Sequence, residues 1–140
     1  MPHPTLIIGN KNYSSWSLRP WILLKHFQVP FEEKRVALFT ETTDAELKPY
    51  NSDLKVPVLQ DGNLLIWDSL AILEYISEQY LDNRGWPDDP AARATARSVS
   101  AEMHSSFPNV PSVSLPRERF WDIPVPKIDS PTRQPLLPRP

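Results

Sequence analysis

The chain has 140 residues, close to the commonest size of a single domain, with hydrophobic residues at 40% and a formal net charge of −2. That balance, without a basic stripe, excludes a broad nucleic-acid or anionic-membrane surface. The absence of cysteine excludes a disulfide scaffold, a Cys-x-x-Cys redox pair and a thiolate zinc site. His3, His26 and His104 are too far apart in sequence to form a ligand cluster, so they read as surface or partly buried residues and no metal is expected. No apolar run approaches the roughly 20 residues of a membrane span. Met1-Pro-His-Pro-Thr5 lacks the basic and apolar stretches of a secretory signal, so a cytoplasmic protein is expected.

Thr5 to Ile8 is a short apolar run closed by Gly9-Asn10, the pattern of a buried strand ending in a turn. A polar loop runs to Ser15. The helix after it reaches about Phe27, with Leu18, Trp21, Ile22 and Lys25 at i, i+3, i+4 and i+7. Pro20 belongs in the first turn, where it meets no carbonyl four residues back. Ser17 is then the N-cap, and Ser14 and Ser15 lie just ahead of the helix. Val29-Pro30 ends the helix, and Phe31 to Leu38 alternates as a second strand. Thr40 to Leu47 reads as a loop with one helical turn, and Lys48 to Ser52 as a further loop. Val56-Pro-Val-Leu and Leu64-Leu-Ile-Trp67 flank Asp61-Gly62 as a hairpin. From Asp68 to about Leu81, Leu70, Leu73, Ile76 and Tyr80 form a helical stripe widened by Ile72. Residues 83–90 form a turn-rich linker, and Pro90 to Phe107 is a helix by propensity.

Beyond Phe107 the pattern breaks. Nine prolines between Pro108 and Pro140 leave no room for a helix longer than about two turns. The stretch is expected to be extended or disordered, with Phe120 and Trp121 as its packing residues. Arg133-Gln-Pro-Leu-Leu-Pro-Arg-Pro140 resembles a Pro-x-x-Pro ligand of SH3 domains, a pattern that so proline-rich a stretch also produces by chance. The switch is abrupt, as a shifted reading frame or a fusion of unrelated sequence would make it.

The β-α-β-β-β-α order is that of a thioredoxin-like fold, which by itself says little about function. The residues say more. Asn12-Tyr-Ser-Ser-Trp-Ser-Leu-Arg-Pro-Trp21 resembles the catalytic loop and first helix of serine-type glutathione S-transferases, in particular their zeta-like and bacterial groups. Lys55-Val-Pro-Val-Leu59, followed by Trp67-Asp-Ser-Leu-Ala-Ile-Leu-Glu-Tyr-Ile76, resembles the glutathione-binding signature of the same family. The two blocks fall within residues 5–81, and the resemblance continues more faintly to Phe107, strongest at Ala101-Glu-Met-His104.

The resemblance implies glutathione as co-substrate. This tripeptide carries two carboxylates, one amine and a thiol that is mostly protonated at neutral pH. A hydroxyl donating to the sulfur beside a positive helix N-terminus favours the thiolate. The family pattern gives that role first to Ser14 and second to Ser15; taken alone, both are equally capping or loop serines. Arg19 either raises the local potential or is an ordinary surface or ion-paired residue. Val56-Pro57 matches the cis-proline turn of the fold, whose Val56 backbone groups would pair with the cysteinyl part; the alternative is a trans proline at a strand start. Asp68-Ser69 opens a helix, an anion site by geometry. Ser69 suits the γ-glutamyl carboxylate and Asp68 its ammonium, a role compatible with N-capping. Lys55 is the candidate for the glycyl carboxylate. Trp16, Trp21 and Trp67 are expected in the core or an interface.

The expected organisation is a glutathione-binding thioredoxin-like domain at 1–82, a linker with the first helix of a truncated all-helical domain at 83–107, and a proline-rich tail at 108–140. The expected activity is attack of the glutathione thiol on an electrophilic small molecule, by conjugation or by an addition that is later reversed in an isomerisation. A homodimer is the expected assembly. The second reading is a non-catalytic module of the same fold, binding glutathione or a protein without turnover. A glutaredoxin-like oxidoreductase ranks third, since no cysteine carries the disulfide step.

Overall fold

In the computed structural model, which describes residues 2–10, 14–50 and 53–106, the apolar run Thr5–Ile8 forms strand β1 inside a four-stranded sheet. Helix α1 (Ser15–His26) follows. It returns the chain to β2 (Glu32–Arg35), which pairs with β1 in parallel, Thr5 opposite Glu32 and Ile8 opposite Arg35. A parallel pair needs such a crossover. Helix α2 (Thr43–Leu47) and a single tight turn, Lys48–Tyr50, lead towards β3 (Val58–Asp61), which runs antiparallel to β1 with Leu6 opposite Leu59. Gly62, at φ 58, and Asn63 turn the chain into β4 (Leu64–Trp67). A positive φ at this position is what a two-residue hairpin asks of its first residue. The sheet order is β2-β1-β3-β4.

Strand β1 pairs with β2 on one edge and β3 on the other, and separate clusters cover its two faces. Leu6 and Ile8 pack with Trp21, Leu24 and Leu59, and with Ile72 and Ile76 of helix α3 (Ser69–Tyr80). Ile7 faces the opposite side, against Val36, Leu47, Tyr50 and Val58. Strand β2 is an edge, and its four side chains, Glu-Glu-Lys-Arg, are all exposed. Charge on an edge strand discourages pairing with another chain. The expected strand over Phe31 to Leu38 is therefore shorter than its alternation suggested, although the Val36 N–H still donates to the Ile8 carbonyl at 2.8 Å.

Two helices differ in detail from the sequence reading. Helix α1 begins at Ser15, so Ser14 and not Ser17 is the N-cap. The Ser14 hydroxyl accepts the Ser17 N–H at 3.1 Å, which starts the helix early enough to place Pro20 in the second turn. Its missing N–H leaves the Trp16 carbonyl without the usual helical donor. The buried stripe is Ser17, Pro20, Trp21 and Leu24, while Ile22 and Lys25 are exposed. In α3 the buried residues are Ser69, Ile72, Ile76 and Ser77. Leu70 and Leu73 line a cavity of about 370 Å³ shared with Met103 of helix α4 (Pro90–Ser106).

The segment between α3 and α4 is pinned down. Its Gly85 N–H donates to Ser77 Oγ at 3.2 Å, and Trp86 Nε1 donates to Glu74 Oε2 at 3.0 Å. A Cβ on Gly85 would stand 2.7 Å from that Ser77 hydroxyl, which calls for glycine there. Arg97 of α4 reaches the same Glu74 at 3.4 Å and lies over the Trp86 ring. The proline-rich tail at 108–140, with Phe120, Trp121 and the Pro-x-x-Pro motif, lies outside the described residues. Among those described, no helix is long and apolar enough to cross a membrane.

At the far end of the sheet, Asp61 accepts hydrogen bonds from both Tyr75 and Tyr80. Burial first, and then this carboxylate, push both phenols above their ordinary range. The neutral phenols are therefore favoured in the fold, and their stabilisation is complete below the unfolded value of about 10. As pH rises past that value the unfolded chain loses protons that the folded one keeps, and stability falls. Urea unfolding on either side of about pH 10 is expected to show this alkaline loss, and Tyr80→Phe is expected to flatten it.

Candidate functional site

The chain leaves β1 at Gly9 and enters α1 at Ser14. The Ser14 N–H donates to the Asn10 carbonyl at 3.2 Å, which sets the entry into α1. Ser14 is 7% exposed and lies on the wall of a cavity of about 670 Å³. Its hydroxyl donates to Ser17 Oγ at 2.8 Å, and Ser17 Oγ accepts the Gly9 N–H at 3.3 Å. The positive end of α1 thus abuts this cavity.

Lys55, Val56 and Pro57 also line the cavity, with Asp68 and Ser69 at the start of α3. The Val56-Pro57 bond is cis, and Pro57 is buried where the chain enters β3. Asp68 occupies the N-cap position of α3, yet its side chain makes no capping hydrogen bond. It reaches instead to His104 of α4, whose Nε2 lies 2.8 and 3.1 Å from the two carboxylate oxygens. Ser69 is buried as the first residue of α3, beside backbone N–H groups that have no acceptor within the helix. Both N-caps, Ser14 and Asp68, face the same cavity.

The backbone around this cavity is unusual. Seven non-glycine residues among those described have positive φ, and four of them, Phe39, Asp53, Leu54 and Asp68, line it. Such conformations cost about 1–3 kcal/mol each and cluster at binding sites. Phe39, at 88% exposed, and Trp67, at 55%, stand at the rim. A cavity of this size falls in the range of roughly 300–1,000 Å³ typical of small-ligand sites. Among the described residues, no group of three or more His, Asp or Glu side chains is arranged to hold a metal ion.

Of the residues singled out from sequence, the structure brings together Ser14, Lys55, Val56, Pro57, Asp68 and Ser69. It does not bring in Ser15, which is exposed in the first turn of α1. Three residues enter unexpectedly. His104, read as an ordinary surface or partly buried residue, lines the cavity and pairs with Asp68. Trp16, assigned to the core or an interface, lines the cavity and meets the His104 ring edge-on at 5.4 Å. Trp67 stands at the rim rather than in the core. Arg19 lies 4.0 Å from the centre of the Trp16 ring, and partial burial lowers its pKa while leaving it a cation. Trp21 alone of the three tryptophans is buried in the core, its Nε1 donating to Glu33 at 2.9 Å. The Asp68–His104 contact spans 36 positions, so no local spacing announces it.

Comparison with known proteins places this geometry. Residues 13–79 match the family model described as the glutathione S-transferase N-terminal domain. The chain is 37% identical over 104 residues to a probable maleylacetoacetate isomerase of Caenorhabditis elegans, covering 74% of this chain and 48% of that one. It is 31% identical over 94 residues to the glutathione S-transferase GstB of Escherichia coli, covering 65% of this chain and 45% of that one. Among solved structures, a theta class glutathione S-transferase of Xanthomonas axonopodis pv. citri with glutathione bound superposes with a TM-score of 0.64 and 30% identity. That match covers 76% of this chain and 51% of the other. The chain spans about half the length of the curated relatives it matches. Through residues 13–79, the chain carries a thioredoxin-like domain that matches the N-terminal domain of glutathione S-transferases.

Proposed function

We propose that this cavity binds glutathione and that the chain activates its thiol for attack on an electrophilic small molecule. The observation that carries the reading is the convergence of two helix N-termini, with Ser14 at one and Asp68-Ser69 at the other, on one cavity. Ser14 supplies a hydroxyl donor to the sulfur, and the α1 terminus adds positive potential. The γ-glutamyl carboxylate sits at the α3 N-terminus on Ser69 and the free N–H groups of the first turn. Its ammonium meets Asp68. The Val56 backbone pairs with the cysteinyl part, and Lys55 faces the glycyl carboxylate. Conjugation and isomerisation share these first steps and differ in whether the sulfur is later expelled. Detoxification of electrophiles in the cytoplasm is the setting this reading implies. A homodimer fits the exposed Phe39 and Trp67 beside the site.

One observation favours a second reading, a module that binds glutathione without turnover. Val99 and Met103 of α4 stand exposed, an apolar face that suits a protein partner.

Retention on immobilised glutathione is expected for the chain and is expected to be lost in Asp68→Ala and in Ser69→Ala. Conjugation of a generic aryl halide is expected to fall about tenfold or more in Ser14→Ala, equivalent to ~1.4 kcal/mol of barrier. Retention without any conjugation would decide for the binding module, and absence of both would overturn the glutathione reading.

The Asp68–His104 pair bears on the same site. Its side chains are 45% and 28% exposed, and exposed pairs of this kind are worth ~0.2–1 kcal/mol. The ligand ammonium therefore shares Asp68 with His104 at little cost. A double-mutant cycle of Asp68→Ala and His104→Ala, followed by thermal unfolding, is expected to give a coupling of ~0.2–1 kcal/mol. In buffer acidic enough to protonate His104, the coupling should shrink in high salt.

A further inference from the structure

We infer that Ser17 is a positioning residue that turns Ser14 into an obligate hydrogen-bond donor towards a bound thiolate. The inference rests on the reading of Ser14 given above and adds what sets the direction of its proton.

A serine hydroxyl has one proton and two acceptor lone pairs. One lone pair of Ser14 Oγ is taken by the Ser17 N–H at 3.1 Å. Its proton points to Ser17 Oγ at 2.8 Å, away from any ligand. Ser17 is fully buried, and its Oγ already accepts the Gly9 N–H at 3.3 Å. Ser14 Oγ is the hydroxyl partner of Ser17 Oγ among the described residues.

A thiolate in the cavity changes which arrangement is best. If Ser14 turned its proton to the sulfur while Ser17 stayed as it is, two oxygen lone pairs would face each other 2.8 Å apart. Reversing the Ser17 hydroxyl removes that conflict, because Ser17 then donates to Ser14 Oγ. Both lone pairs of Ser14 are now engaged by Ser17, one by its N–H and one by its O–H. The remaining hydrogen-bonding capacity of Ser14 is its proton, directed at sulfur. The thiol proton leaves to solvent as the thiolate forms, so no base is needed among these residues. The resulting chain runs from the Gly9 N–H through Ser17 and Ser14 to the sulfur. Each donor in such a chain strengthens the next. Burial of every link but the last keeps water from competing for the same oxygens.

The test measures ultraviolet absorbance of the glutathione complex as a function of pH, which reads the bound thiolate directly. Ser14→Ala is expected to abolish the low-pH thiolate. Ser17→Ala is expected to raise the apparent thiol pKa by about one unit, ~1.4 kcal/mol, while glutathione is still bound. Conjugation by that variant should fall about tenfold at neutral pH and recover in alkaline buffer, a pH dependence that loss of packing alone does not produce. Ser17→Cys, close in volume and a weak donor, serves where the alanine variant does not fold, with the same shift expected. Thiolate titration unchanged in the folded Ser17 variant but lost in Ser14→Ala would overturn the role of Ser17 and leave the glutathione reading intact. Failure of both Ser17 variants to fold would also overturn it, making Ser17 a purely structural residue. Thiolate titration unchanged in Ser14→Ala, or no binding by the unmodified chain, would overturn the glutathione reading and this inference with it.

Discussion

Burial of β1 on both faces is the constraint on which the rest of the structure depends. Leu6, Ile7 and Ile8 are fully buried, and each such side chain gains about 1.5–3 kcal/mol on leaving water. A strand in that position needs one layer above the sheet and another below, which α1 with α3 and the α2 segment provide. It also fixes where the chain emerges. Gly9 follows directly, so close to its neighbours that a Cβ would collide with the Leu38 side chain and stand 3.1 Å from Val56 Cγ2. Three segments distant in sequence are thereby drawn to one sheet end, and the cavity lies among them.

The electrostatics follow from the same placement. Two helices end their N-termini at this cavity, and exposed N-terminal N–H groups favour anions. Asp68 and Asp53 add negative charge and Lys55 positive charge on the wall. A surface patterned in this way suits a zwitterion more than a simple anion. Asp68 is one of the points where the start of α3 meets α4, through its partner His104. Arg19, Trp16 and His104 continue this contact from α1 to α4, through a ring stacked under a guanidinium and an edge-on aromatic pair.

The aliphatic elements of this fold were readable because their side chains announce burial. Thr5 to Ile8, the Val58 and Leu64 arms of the hairpin, and the Ile72–Ile76 face all follow hydrophobic periodicity. Where a polar residue is buried, periodicity misleads. Ser17 opens the stripe of α1, at i with Pro20, Trp21 and Leu24 at i+3, i+4 and i+7, whereas the spacing read from sequence runs Leu18, Trp21, Ile22 and Lys25 and shares only Trp21 with it. Its burial is set by hydrogen bonds to Gly9 and Ser14, which no window of hydropathy registers. Strand β2 was overestimated because alternation at an exposed edge reflects charge placement rather than packing. The cavity-lining residues near Ser14 and Asp68 were legible through motifs that are contiguous in sequence. Trp16 and His104 were not, because a large aromatic beside a helix start looks like core, and a histidine 36 positions from its partner has no local signature.

Asp68 sets two requirements at odds within one residue. Its backbone, at φ 75 and ψ 126, lies where glycine is at ease and a side chain brings strain. Its carboxylate is what holds His104 and what an ammonium would seek. Variation that relaxes the main chain at this position removes the charge, and variation that keeps an acidic group retains the strain. Selection for thermal robustness alone would drift towards glycine here and erase the contact with His104, along with the role proposed for this carboxylate.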